Sequence, residues 1–283
     1  MKNMLKKLPF QAACAIGLAL AAAPIAAQDK PSGLGLIKEA EAVAETFPLI
    51  EFRQYTLFEG KRDPFIALFE KEFIESQESL GMKLFGQFTD VDDPNRFIWI
   101  RGFRDMETRG EALNAFYYGP VWKQHREAAN PALEDNDNVL LLRAANAGGN
   151  LVPRGGRAPV GEIPPEGGMI TVTIYYLKDR PDLFAAFFES EMRPVLVKHG
   201  ISVIGQYVRE ESANNFPRLP VREGEKVFVW LSRYDSTADR DKRASRLEAD
   251  PKWRNGVRAK LESRLARPSE TIRLRPTPRS EIR

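Results

Sequence analysis

The chain has 283 residues, with 42 Lys and Arg against 39 Asp and Glu and a net charge of +3. Lys2, Lys6 and Lys7 supply all of that excess, so loss of a 27-residue leader leaves 256 residues with 39 charges of each sign. That balance excludes a global basic field for nucleic acid, the length suits two domains, and the lone Cys14 sits in the leader, which excludes a disulfide, a thiolate metal site or a cysteine nucleophile from the mature chain.

Residues 1–27 read as a secretory signal peptide. Three early lysines precede the apolar run Ala12 to Ala23, and small residues lead to cleavage after Ala27. The run is shorter than the ~20 residues needed to span a bilayer, so a periplasmic or secreted protein without a transmembrane segment is expected. Residues 28–48 form an N-terminal extension in which Leu36, Ala40, Val43, Ala44 and Phe47 mark a short amphipathic helix.

From residue 49 to 143 the pattern reads strand, helix, strand, strand, helix, strand. Ile50 to Leu57 is rich in aromatic and branched residues, and Phe65 to Leu80 has helical spacing that ends at Gly81 as a left-handed cap. Met82 to Phe88 and Arg96 to Phe103 alternate around an Asp-Asp-Pro-Asn turn. A second helical region, Glu107 to Ala129, breaks at Gly119-Pro120, and Val139 to Leu142 closes the unit.

The unit is written twice. Phe65, Phe69, Gly81, Gly86 and Gln87 match Phe184, Phe188, Gly200, Gly205 and Gln206 at an offset of 119, and Trp99, Pro120 and Trp122 match Trp230, Pro251 and Trp253 at 131. The difference places a 12-residue insertion in the second copy, in the loop Asn214 to Glu225. Residues 144–168 form a Gly- and Pro-rich extended linker, 169–275 the second domain, and 276–283 a tail expected to fray. The order is that of a ferredoxin-like α+β domain with helices on one sheet face. Two such sheets are expected to stack inside one chain as an intramolecular dimeric α+β barrel, with further oligomerisation left open.

The motifs Glu51-x-Arg53-x-Tyr55-Thr56-Leu57, Gly60-Lys61, Leu80-Gly81-Met82-Lys83-Leu84, Asn95-Arg96, Trp99 and Pro120-x-Trp122 resemble those of the NIPSNAP family of the dimeric α+β barrel superfamily. The resemblance covers Leu49 to Arg143, with a weaker second copy. It implies a barrel-like fold and a family whose activity is poorly defined, among relatives that include small oxygenases and haem-handling enzymes. In the second copy Thr171 and Thr173 stand where the first has Glu51 and Arg53.

Strand alternation separates Glu51, Arg53, Tyr55 and Leu57 from Ile50 and Phe52. The apolar set is expected against the helices and the mixed set, with Gln87, Trp99 and Arg101, in the inter-sheet space. A ligand pocket there would use Arg53 and Arg101 on an oxyanion and Tyr55 and Trp99 on an aromatic body. The plainer reading, a Glu51-Arg53-Arg101 ion network, is preferred. His125, three residues after Trp122, is read as a packed helical histidine, with haem ligation as the alternative role. His199 is read as a helix-end cation beside Gly200. With two histidines far apart and no cysteine, no metal site is expected, and no other cofactor either. No phosphate loop or nucleophile elbow occurs. The reading is an exported small-ligand-binding or interaction module with no demonstrated reaction; the alternative is a cofactor-free or haem-linked monooxygenase acting on a small aromatic substrate.

Overall fold

The structure is a computed structural model that describes residues 46–153, 155–165 and 168–283. The leader, its cleavage site and most of the amphipathic extension lie outside the described residues. No helix among those described is long and apolar enough to cross a membrane.

In the first half, β1 (Leu49–Leu57) leads through α1 (Arg62–Leu68), a π-helical segment (Phe69–Phe73) and α2 (Ile74–Glu78) to β2 (Lys83–Asp90) and β3 (Arg96–Phe103). Then come α3 (Met106–Tyr117), α4 (Pro120–Ala129), the short β4 (Leu133–Asp135) and β5 (Val139–Ala144). The second half runs β6 (Met169–Tyr176), α5 (Pro181–Phe187), a π-helical segment (Phe188–Met192), α6 (Arg193–Lys198), β7 (Ser202–Arg209) and β8 (Val227–Tyr234). It ends with α7 (Thr237–Ala249), a third π-helical segment (Trp253–Val257), α8 (Arg258–Arg264) and β9 (Glu270–Pro276).

Every strand pairing is antiparallel, and the strands close on themselves in the ring β1-β3-β2-β9-β6-β8-β7-β5, with β4 extending the edge of β1 beyond β5. The halves therefore do more than stack. Two edge pairings, β2 with β9 and β5 with β7, turn two sheets into one α+β barrel and remove the open edges that two separate sheets would expose.

Closure decides what faces inward. The barrel interior is filled by Ile50 and Phe52 of β1, Ile98 and Ile100 of β3, Leu140 and Leu142 of β5, Ile170, Val172 and Ile174 of β6, and their counterparts on β2, β7, β8 and β9. The expected facing is thus reversed. Ile50 and Phe52 point away from the helices, whereas Tyr55, Leu57 and Trp99 pack with Phe65, Phe69, Phe73, Leu113 and Phe116 in the layer between sheet and helices. An eight-stranded barrel has an interior that side chains can fill, and the consistently branched and apolar set of its strands does most of that filling. The helix layer has more irregular space and takes the mixed set.

Local signals behave as read. Gly81 and Gly200 both adopt left-handed φ, +85° and +75°, where an L side chain would be strained. Gly86 and Gly205 each follow a register shift, with the ring of the residue two positions on lying over them; a Cβ on Gly86 would come within 2.3 Å of the Phe88 ring. The tail is a correction. Thr277, Arg279, Ser280 and Glu281 are buried: Thr277 Oγ1 donates to Glu70 Oε1 (2.6 Å), the Arg279 backbone N–H donates to the same oxygen (3.0 Å), and Glu281 pairs with Lys83 (2.7 Å). The linker is likewise tied down, with Leu151 inside the barrel core and Arg157 bonded to Glu78 (2.9 Å). A buried carboxylate needs donors, and these come from parts of the chain some 200 residues away in sequence.

Candidate functional site

The antiparallel register of β1 and β3 sets Arg101 across from Glu51 and Trp99 across from Arg53, with the helices above them. Glu51 Oε2 accepts from Arg53 Nη1 (2.7 Å) and Arg101 Nε (2.8 Å), while Oε1 accepts from Arg109 Nε (2.8 Å). All four side chains are wholly buried. Asp105 caps α3 by accepting the Thr108 N–H, which places Arg109 in the opening turns of that helix. A cation there opposes the helix dipole and depends on Glu51.

Neutral groups complete the set. Arg101 Nη1 donates to Gln77 Oε1 (2.8 Å), Gln77 in turn donates to the Phe73 carbonyl (2.7 Å), and Arg109 Nη1 donates to Asn215 Oδ1 (2.6 Å) and Asn214 Oδ1 (3.1 Å). The cluster holds three guanidinium groups and one carboxylate. Burial alone would raise the Glu51 carboxyl, but Arg101, Arg109 and Arg53 outweigh it and hold the acid well below the usual carboxylate range. Burial pushes the Tyr55 phenol up to about 12 against the lowering pull of Arg53, whose Nε donates to the phenol oxygen (2.9 Å). Tyr55 is therefore a neutral hydroxyl at ordinary pH.

Beside this cluster lies a cavity of about 190 Å³ walled by Tyr55, Phe65, Phe69, Phe73, Phe116, Tyr117, Trp99 and Trp122, with Gln77, Asn130, Asn136 and Arg218 supplying polar groups. Arg53, Arg101 and Arg109 do not line it; Arg53 and Arg101 lie against rings that do. Arg53 sits 5.3 Å from the Tyr55 ring centre and 5.5 Å from that of Trp99, and Arg101 sits 5.0 Å from Trp99 and 5.8 Å from Tyr117. The indole N–H groups of Trp99 and Trp122 are buried and find no acceptor among the described residues, and neither does Arg53 Nη2.

The inserted loop of the second half helps to close this cavity of the first. Arg218 and Leu219 line it, and Phe216 packs 5.7 Å from the Tyr117 ring. Of the residues singled out from sequence, Glu51, Arg53, Tyr55, Trp99 and Arg101 come together, on the helix side of the sheet rather than between sheets. Gln87 stands apart from them. Its side-chain oxygen accepts from linker Arg157 (3.3 Å) and its backbone N–H donates to Ser280 (3.3 Å). His125 is not among the cavity residues; its Nε2 is 3.5 Å from Glu72 and its ring 6.1 Å from Phe73. His199 does cap α6, with Nε2 2.8 Å from Asp250 Oδ2, and Asp250 also bonds the Lys252 and Trp253 backbone N–H groups.

Arg109, Gln77 and the Asn214-Asn215 pair were missed by sequence reasoning. Arg109 shares no period with β1, and only the insertion itself, visible as a jump in repeat offset, pointed to the loop.

Comparison with known proteins supports this architecture. No curated protein matches the chain. Among solved structures, a monooxygenase candidate from Lactobacillus acidophilus NCFM aligns with TM-score 0.52 and 15% identity over 84% of this chain and 97% of its own. Another from Fusobacterium nucleatum subsp. nucleatum ATCC 25586 aligns with TM-score 0.53 and 11% identity over 82% and 93%. At these identities the likeness is one of fold. A NIPSNAP family protein of unknown function from Agrobacterium tumefaciens str. C58 aligns with 20% identity and TM-score 0.35 over 43% of this chain and 98% of its own. The NIPSNAP family model matches residues 50–146, from β1 to just beyond β5. Residues 50–146, the stretch that carries the Glu51 cluster and most of its cavity, are thus similar to the NIPSNAP family.

Proposed function

We propose that the first-half cavity binds a small planar acid, the ring held by the aromatic walls and the anionic oxygens by the indole N–H groups, the Tyr117 hydroxyl and Arg218 at the rim. The observation that carries this reading is the charge of the buried cluster, three guanidinium groups against one carboxylate, set directly behind those walls. Two cationic charges without a protein counter-ion favour an anion nearby. At an effective dielectric constant of 20, a unit negative charge about 8 Å from one guanidinium, on the far side of the ring between them, gains about 2 kcal/mol. A 190 Å³ space lies below the roughly 300–1,000 Å³ of drug-sized sites, which limits the occupant to one or two fused rings. Tyr55, held protonated, serves such a ligand as a wall and a donor rather than as a base.

This reading makes the protein an exported ligand-binding module whose two halves are copies of one ferredoxin-like unit, the first keeping the charged site. Its test is calorimetric titration of the purified protein with 2-naphthoate, supported by thermal unfolding. Saturable binding is expected, with about 2.7 kcal/mol of added stability at a hundredfold excess over Kd. Trp122→Phe, which keeps the ring and removes the donor, should weaken binding about tenfold, as for one hydrogen bond to a charged group. Absence of saturable binding, or binding indifferent to Trp122→Phe and Arg218→Ala together, would overturn the proposal.

A further inference from the structure

The second half has a cavity of its own in the layer between β6, β8 and the covering helices, and at about 310 Å³ it is larger than the first. Its aromatic frame is familiar: Tyr175, Trp230 and Trp253 stand in the second half where Tyr55, Trp99 and Trp122 stand in the first. Leu196, Leu247 and Leu261 add aliphatic wall.

The polar groups differ in kind. Across the paired strands β6 and β8, Thr171 faces Ser232, and their hydroxyls are 2.6 Å apart; the Ser232 hydroxyl donates to the Tyr234 oxygen at 3.2 Å. Thr173 meets Thr271 of β9 at 3.3 Å. Thr171, Thr173 and Ser232 are buried, and no charged side chain takes the place of Glu51, Arg53 or Arg101. The buried Trp230 indole N–H has no acceptor at hydrogen-bond geometry among the described residues, with the Tyr175 phenol as its near neighbour.

Charges occur only at the mouth, where they largely neutralise one another. Arg258 pairs with Glu248 and Glu262 (both 2.9 Å), Arg240 pairs with Asp241 (2.9 Å), and Glu248 also accepts the Trp253 indole N–H (3.1 Å). The net field along this cavity has no excess cation to attract an acid. Hydroxyl chains offer both donors and acceptors, because each Ser, Thr or Tyr O–H can rotate to either role.

We propose that this second cavity is a separate binding site for an uncharged aromatic alcohol or ketone, so that one chain carries one pocket for an acid and one for a neutral ligand. The ligand's rings lie among Tyr175, Trp230 and Trp253, and its oxygen accepts from the Trp230 N–H or exchanges hydrogen bonds with the Thr171-Ser232-Tyr234 chain. Selectivity follows from desolvation. A carboxylate entering here would leave water without meeting a cation, whereas a neutral hydroxyl would exchange one set of hydrogen bonds for another.

The test uses the purified protein and two probes that share a skeleton, 2-naphthol and 2-naphthoate, titrated at pH 7, where the first is neutral and the second anionic. Ala244 lines the cavity from α7 and is only half-buried, so Ala244→Phe fills the space from the helix side; Trp230→Phe keeps the ring and deletes the donor. The expected result is saturable 2-naphthol binding that weakens at least tenfold in Ala244→Phe and severalfold in Trp230→Phe, and that is unchanged in Trp122→Phe. The proposal is overturned if 2-naphthol does not bind saturably, if its affinity is indifferent to both second-half variants, or if it follows Trp122→Phe instead. Naphthoate binding serves as the separate readout for the first cavity and should not respond to Ala244→Phe.

Discussion

In the first half a carboxylate and three arginines lie between the sheet and its helices; at the same place in the second half Thr171, Thr173 and Ser232 form neutral hydroxyl contacts. Both layers pack around a tyrosine and two tryptophans, and both halves contribute four strands to one barrel. The scaffold therefore does not require buried ions. Burying a charge costs several kcal/mol even after relaxation, and replacing a buried ion cluster by neutral residues is often neutral or stabilising. The charged set is better understood as a feature of the site than of the fold.

The sharpest way to break this comparison is Glu51→Gln, which leaves three guanidinium groups together with no carboxylate. We expect a loss of about 3–5 kcal/mol, read by chemical or thermal unfolding. Loss under about 1 kcal/mol would mean that the arginines find other partners and that the cluster is not as excluded from water as its burial indicates.

Truncation after Pro276 tests the half-to-half ties. Glu70 would lose the Thr277 hydroxyl and Arg279 backbone donors while still lying under the helix layer, and about 3 kcal/mol of stability should go with them. Because Glu70 belongs to the π-helical segment that contributes Phe69 and Phe73 to the first cavity, 2-naphthoate affinity should fall as well.

The pH dependence separates the buried tyrosines from the ion cluster. The folded Tyr55 phenol titrates near 12 against about 10 unfolded, so the folded state holds the proton more tightly. Its contribution is complete below pH 10 and is lost as pH rises from about 10 to about 12, worth up to about 2–3 kcal/mol. Tyr175 and Tyr207 are raised further by burial and extend the same decline. Glu51 acts at the other end: its folded value is depressed, so its contribution is present above about 4.3 and disappears only as pH falls through the folded value. Stability that stays flat between pH 9 and 12 would contradict the burial of these phenols.

Remaking the first half after the second gives the smallest change in stability. A quadruple variant takes Glu51→Thr, Arg53→Thr and Arg101→Ser from the second half and adds Arg109→Met, because no carboxylate is left to pair that arginine, whose counterpart Arg240 pairs with Asp241; it should stay within about 2 kcal/mol of the parent while losing 2-naphthoate binding. Unfolding of this variant would show that the two halves are not interchangeable frames.

Much of this was readable in the residues themselves. The strand and helix order, the helix break at Gly119-Pro120, the left-handed caps at Gly81 and Gly200 and the sorting of Glu51, Arg53 and Tyr55 onto one face of β1 and of Trp99 and Arg101 onto one face of β3 all follow from local chemistry and from the periods of strand and helix. Alternation sorts side chains into two sets but does not say which set faces which layer, because here both layers are dry. Ring closure by β2 with β9 and β5 with β7 settled that, sending the branched residues inward and the charged ones toward the helices. Arg109, Gln77, the Asn214-Asn215 pair and the tail donors to Glu70 come from elements far apart in sequence, and their meeting depends on packing that no local period records. Short-range sterics and hydrogen bonding fix the elements; which buried charge finds which partner is decided only when the barrel closes and water is excluded.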